Sequence, residues 1–254
     1  MTTTQHDQLR LVRGSARNNA EWCAVMSRTH GVPGRFGAQA WTAPARTPPY
    51  YPDAVTLVPG ADPAGVAGGI DLTAPGATVK DSFADLDLTA RGFRVLFEAA
   101  WIHRPAGPPA AFSGTPWEVV EDPDAVRAWA HAWDGGDGDA DLFRPALLDD
   151  PDTFLLAARE RDGAVTAGAV ASRSGDAPGD GVPGGSGVGG VLGLSNVFAR
   201  DGGAGAAWPG ALDAAHRLFP ALPVVGYEHG EDLDTALRHG FTATGPLRVW
   251  LHHG

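Results

Sequence analysis

The sequence predicts an α/β (α+β) protein, and three observations carry that prediction. Val191 to Gly230 reads as strand, glycine-rich turn, helix and strand. Phe154 to Arg159 and Ala164 to Ser172 form a hairpin across Arg161-Asp162-Gly163. The two halves of the chain also end alike. Ala84-Asp85-Leu86-Asp87 precedes Gly92-Phe93 and a strand closing on Trp101-Ile102-His103, while Glu231-Asp232-Leu233-Asp234 precedes Gly240-Phe241 and a strand closing on Trp250-Leu251-His252. Repeated endings in the same order suggest a tandem of two similar units.

Residues 1–14 read as a flexible tail without the apolar core of a signal peptide. Ser15 to Arg28 is a helix with Ser15 as its cap and Trp22, Val25 and Met26 on one face, ended by His30-Gly31. Val32 to Pro52 carries prolines, glycines and four aromatics, which marks an ordered loop. Strands follow at Asp53 to Val58, Thr78 to Ser82 and Phe93 to His103, with a short helix at Asp62 to Gly68. Glu98, a charge inside an apolar strand, marks either a partner or a sheet edge. No glycine-rich turn joins a strand to a helix in residues 15–104, so a cofactor site is not expected there.

Residues 105–116, rich in proline and small residues, form the linker between the units. The second unit, 117–254, opens with a strand at Trp117 to Glu121. A helix follows at Asp124 to Trp133, capped by Asp122 or Asp124 and apolar along Val126, Trp129 and Trp133. The acidic loop from Gly135 to Asp141 lacks the DxDxDG pattern of a calcium loop. Arg173 to Gly190 is low-complexity and suits a surface insertion or a substrate lid.

The chain has 254 residues, a formal net charge of −11 and only 19% charged residues. The acidic balance argues against nucleic acid and anionic membrane surfaces as partners. Eight Trp and ten Phe are too many for a disordered chain. The one cysteine, Cys23, suits a reducing compartment, and with no membrane-length apolar run the expected location is the cytoplasm. His229, His239, His252 and His253 show no i, i+4 pair on a helix, so no metal site is expected.

The stretch that carries chemistry is Asp201-Gly202-Gly203-Ala204-Gly205-Ala206, between the strand Val191 to Ala199 and a helix expected to begin near Trp208-Pro209. A turn nearly free of side chains before a helix N-terminus offers unpartnered N–H groups and partial positive charge to an anion. Together with the Gly-Phe pair and the closing strand, this order resembles the Gcn5-related N-acetyltransferases (GNATs) from about Trp117 to His252. Their central motif is Arg or Gln, two residues, Gly, one residue, then Gly or Ala. Counted from Val197 it falls on Gly202 to Ala207, with glycine in the basic position; shifted by two it falls on Arg200, Gly203 and Gly205.

The resemblance implies a mixed, mostly antiparallel sheet flanked by helices, and acetyl-CoA as co-substrate. It places the pantetheine arm against Asn196, Val197, Phe198 and Ala199 and the pyrophosphate on Gly202, Gly203, Ala204, Gly205 and Ala206. Its acceptor is a small-molecule amine, and monomer and homodimer are both open. Transfer to an amine needs a base, for which Glu228 at the end of the strand Val224 to Glu228 is the candidate, with Ser195 as a further polar contact. The family's acid is a tyrosine four residues before the Gly-Phe pair; here that position is Ala236, with Thr235 and His239 nearby.

Overall fold

The computed structural model describes residues 5–108, 112–175, 190–201 and 203–254. In chain order the elements are α1 (Gln5–Thr29), β1 (Arg35–Phe36), β2 (Ala40–Thr42), β3 (Ala54–Thr56), α2 (Pro63–Gly68), β4 (Thr78–Asp81) and β5 (Phe93–Arg104). They continue with β6 (Trp117–Val119), α3 (Pro123–Asp134), β7 (Thr153–Arg159), β8 (Val165–Ser174), β9 (Val191–Ala199), α4 (Ala204–Leu218), β10 (Val224–Glu228), α5 (Gly230–Arg238) and β11 (Thr242–His252).

The chain forms two compact units, divided differently from the sequence expectation. The first comprises residues 1–101 with Tyr227–His229 and Ala243–Gly254; the second comprises Ile102–Gly226 and Gly230–Thr242. Nearly all of β11 therefore belongs with the N-terminal half. The expected tail is also corrected: residues 5–14 are the first turns of α1. Leu9 and Val12 repeat at helical spacing there, and Val12 is buried with Ala16 against Trp101, Leu247 and Val249.

In the first unit the strand order is β1-β2-β3-β4-β11-β5. β3 and β4 run parallel; β1, β2 and β3 pair antiparallel, as do β4 and β11 through Arg248↔Asp81 to Leu251↔Thr78. The helix α2 begins where Asp62 accepts from the N–H groups of Ala64 and Gly65, with Pro63 in the first turn. Asp53, 2% exposed, ties the loop before it to β4 by accepting from Arg46 Nη1 at 2.9 Å, Thr47 N at 3.0 Å and Thr78 N at 2.8 Å. Glu98 is neither orphaned nor in search of a ligand: Arg248 on β11 binds its carboxylate at 2.9 Å.

In the second unit the order is β10-β9-β8-β7-β6. The hairpin forms as expected, with β7 and β8 paired from Thr153↔Ser172 to Arg159↔Val165. The Asp122 side chain caps α3 through Ala125 N at 2.8 Å, and Gly135 ends it in the left-handed region, φ 61°. The core joins Ile102, Leu156, Leu192 and Leu194 of the strands to Trp208, Leu212, Ala236 and Phe241. The centre of the low-complexity stretch, 176–189, lies outside the described residues.

Candidate active site

The strand β9 is bent at the residues that the resemblance assigns to the coenzyme arm. Gly168 of β8 faces Phe198 and Val170 faces Ser195, so Asn196 and Val197 share the place of one residue opposite Ala169. This is a β-bulge, which re-aims a strand and strengthens its twist. Asn196 sits at φ 51°, a left-handed conformation that asparagine adopts more readily than most residues. Its Nδ2 donates to Ser195 Oγ at 3.0 Å, so the two polar side chains stabilise the bulge together.

The other edge of β9 pairs with β10 only at Leu192↔Val224 and Gly193↔Val225. At Gly226 a Cβ would stand 3.0 Å from the carbonyl oxygen of Leu194, so only glycine lets the strands lie this close where the ladder ends. Among the described residues, β9 has no ladder pairing on that side from Ser195 to Ala199.

The turn that follows is shorter than the sequence suggests. The helix α4 starts at Ala204, not near Trp208, because alanines favour helix and Gly203 turns the chain at φ 72°. Among the described residues no side chain caps α4, so the N–H groups of Ala204 and Gly205 have no cap of that kind. In the register on Arg200, Gly203 and Gly205, the first glycine is the residue directly before the helix. Gly202 and the side chain of Ala204 lie outside the described residues; Ala206 donates to Gly203 O at 3.1 Å.

The earlier start puts Pro209 inside the helix, where it supplies no N–H to the carbonyl of Gly205. The backbone of Gly205 acts on the His239 ring. Burial lowers the pKa of His239 and the Gly205 backbone opposes this, while Arg238 and Arg104 add to the lowering. Arg104 Nε donates to His239 O at 3.1 Å; Arg238 Nη2 donates at 2.8 Å to Thr235 Oγ1, and Thr235 lies beside Gly205 in the first turn of α4. The sequence reading missed Arg104 and Arg238 and noted His239 only for its position.

His216, fully buried on α4, has Arg104 Nη1 3.2 and 3.3 Å from its ring nitrogens. Its pKa is lowered by burial first and by Arg104 second, with Asp213 opposing. Both histidines therefore favour folding most when neutral. That stability is complete above the unfolded value of about 6.5 and is lost as pH falls through the lower folded values. Denaturant midpoints at pH 7.5 and pH 5 should differ more in the wild type than in His216→Gln, which keeps an acceptor for Arg104 but does not titrate.

Glu228 ends β10 and falls among the residues of the first unit, whereas Ser195 and the motif belong to the second. Ala236 is fully buried with Trp208 and Phe241, so the position the resemblance gives to the acid faces the core. Among the described residues, no group of three or more His, Cys, Asp or Glu side chains is placed to hold a metal. Among them, too, no helix is long and apolar enough to cross a membrane.

No family model and no curated protein matches this sequence. Solved structures do match in fold. A GCN5-related N-acetyltransferase from Kribbella flavida superposes with a TM-score of 0.55 at 15% identity, over 94% of this chain and 96% of that one. A structure from Novosphingobium aromaticivorans, described as a GNAT-family acetyltransferase, gives 0.53 at 12% identity, over 94% and 99%. The chain has the GNAT fold. At such identities the likeness is one of architecture: mixed, mostly antiparallel strands with flanking helices, carried over almost the full length of both GNAT structures.

Proposed function

We propose that the protein is an acyl-CoA-dependent N-acyltransferase that moves an acetyl group from acetyl-CoA to the amine of a small molecule. The observation that carries this reading is the gap opened by the Asn196 bulge, directly followed by an uncapped helix start at Gly203. The amides of a pantetheine arm pair with the free main chain of Ser195 to Ala199, and the pyrophosphate accepts from the N–H groups after Gly203. Arg238, bonded to Thr235 beside Gly205, adds a cation near that turn.

In the reaction the amine nitrogen attacks the thioester carbonyl. A C–N bond forms, the C–S bond breaks, a base takes the amine proton and the thiolate leaves with a proton from water. Glu228 is the proposed base. Ser195, bonded to Asn196, acts through the bulge rather than on the carbonyl. We also read the chain as a tandem. Gly92 and Gly240 both adopt left-handed backbone, φ 77° and 85°, before buried Phe93 and Phe241.

A second reading is favoured by the burial of Ala236: a GNAT-fold protein that binds CoA or another small ligand without transferring an acyl group. Calorimetric titration with CoA and acetyl-CoA, followed by thiol release from acetyl-CoA over a panel of amines, separates the two. Saturable binding with amine-dependent thiol release supports transfer, and its loss in Glu228→Gln with binding intact supports the base. Binding without release supports the second reading, and no binding at millimolar ligand ends both.

A further inference from the structure

The first unit contains a cavity of about 640 Å³, within the ordinary range for small-molecule sites. Its walls include Pro48, Pro49, Tyr51, Phe97 and Tyr227, with Tyr50 and Leu96 also lining it. Lys80 lines it too, although the residue is only 3% exposed. A buried ammonium without a counter-ion is expensive, and proteins nearly always pair one.

Here the pairing is absent. The Lys80 Nζ donates to Asn19 Oδ1 at 2.9 Å and lies 3.9 Å from the centre of the Tyr227 ring. Among the described residues it makes no ion pair. Two neighbouring acidic groups do not supply the missing charge. Asp53 is committed to Arg46, Thr47 and Thr78, so that carboxylate and guanidinium cancel. Cys23 feels the Lys80 charge, but burial dominates and pushes its thiol up to about 11, keeping it neutral. The cavity thus has one uncompensated positive charge and an apolar, aromatic lining. An ammonium has three donors and Asn19 uses one, leaving capacity for both oxygens of a carboxylate.

The rim supports a binding role. Tyr50 is 73% exposed and held at φ 70°, a conformation that costs a non-glycine residue energy. The flanking prolines of Pro48-Pro49-Tyr50-Tyr51-Pro52 restrict the segment, and Thr47 Oγ1 donates to Tyr51 O at 2.6 Å to hold its turn. A stiff, strained segment presenting a large aromatic beside a cavity is the kind of local departure that accompanies ligand sites.

We propose that this cavity binds an organic monocarboxylate with an aromatic or aliphatic body, its carboxylate on Lys80 Nζ and its body against Tyr50, Phe97 and Leu96. The site lies wholly within the first unit and does not depend on acyl transfer.

Calorimetric titration with 2-naphthoate and the isosteric, uncharged 2-naphthamide tests it. The full-length protein should bind naphthoate one to one and prefer it to the amide by about ten-fold or more. Lys80→Met removes the charge at similar volume and should bring naphthoate down to the amide's affinity without loss of folding; Lys80→Arg should restore part of the preference. Tyr50→Ala at the rim should weaken both ligands alike. Absence of naphthoate binding, equal affinity for the two ligands, or unchanged naphthoate binding in Lys80→Met overturns the proposal. The wild-type ratio decides the matter even if a variant misfolds. A CoA titration of Lys80→Met, expected to match wild type, keeps this result separate from the acyltransferase reading.

Discussion

Gly203→Val is expected to reduce CoA affinity by about a hundred-fold or more while leaving the protein folded. The cause is conformational, since space is open around Gly203: a Cβ there would meet nothing within 4 Å. Its φ of 72° is what excludes β-branched residues, at a cost of about 1–3 kcal/mol. To relieve that strain the chain must rotate the peptide after Gly203, and so the N–H groups that open α4. Gly203→Asn should lose affinity as well, because a ψ of 173° puts the residue outside the left-handed helical basin that asparagine tolerates and in a region reserved for glycine. Gly205→Leu acts by a different route. Its Cβ would lie 3.3 Å from Thr235 Cγ2, so a larger side chain presses on α5 and on the Thr235–Arg238 contact. If Gly203→Val binds CoA within about three-fold of wild type, the helix start does not hold the pyrophosphate and the coenzyme assignment fails with it.

The elements nearest the site were the most legible in the sequence, because their signals are local. Val191–Ala199 and Val224–Glu228 form strands at those same bounds, since apolar runs bracketed by Pro, Gly and Asp have few alternatives. Asp122-Pro123 opens α3 because cap and first-turn proline act within one turn. Features that depend on distant partners were not legible. β1 and β2 have two and three residues, and pairing such as Ala40↔Thr56 holds them in a stretch whose composition suggests only a loop. Residues 5–14 alternate charge and apolar side chains too sparsely to announce a helix until Leu247 and Val249 cover Val12. The first unit claims most of β11 although that strand follows directly from α5, and no local pattern states which half a terminal strand will join. Pro209 pulled the expected start of α4 toward itself, because a first-turn proline is the common case and an interior one the exception. Lys80 gave no sign at all: one lysine in a short strand is ordinary until its burial is known.

The largest loss of stability is expected from the smallest substitution, Gly168→Ala. Replacing an exposed strand glycine with alanine ordinarily gains stability, because glycine has more backbone freedom to lose on folding. At Gly168 the sign should reverse. A Cβ there would lie 2.4 Å from Phe198 Cε1 and 2.4 Å from Trp129 Nε1. Trp129 cannot retreat: it is fully buried, its Nε1 donates to Leu156 O at 2.8 Å, and Phe143 stands edge-on at 4.8 Å. Phe198 can move, being only half-buried, but it lies two residues beyond the bulge at Asn196 and on the proposed coenzyme strand. The expected cost is about 1–3 kcal/mol for alanine and more for valine, read as a lower denaturant midpoint at unchanged slope. Phe198→Ala removes the mobile half of the clash, so the Gly168→Ala/Phe198→Ala double variant should lose less than the sum of the two single losses. A Gly168→Ala protein as stable as wild type would show that the rings part without cost. The bulge would then be a soft feature of β9, and the case for a preformed coenzyme gap would weaken with it.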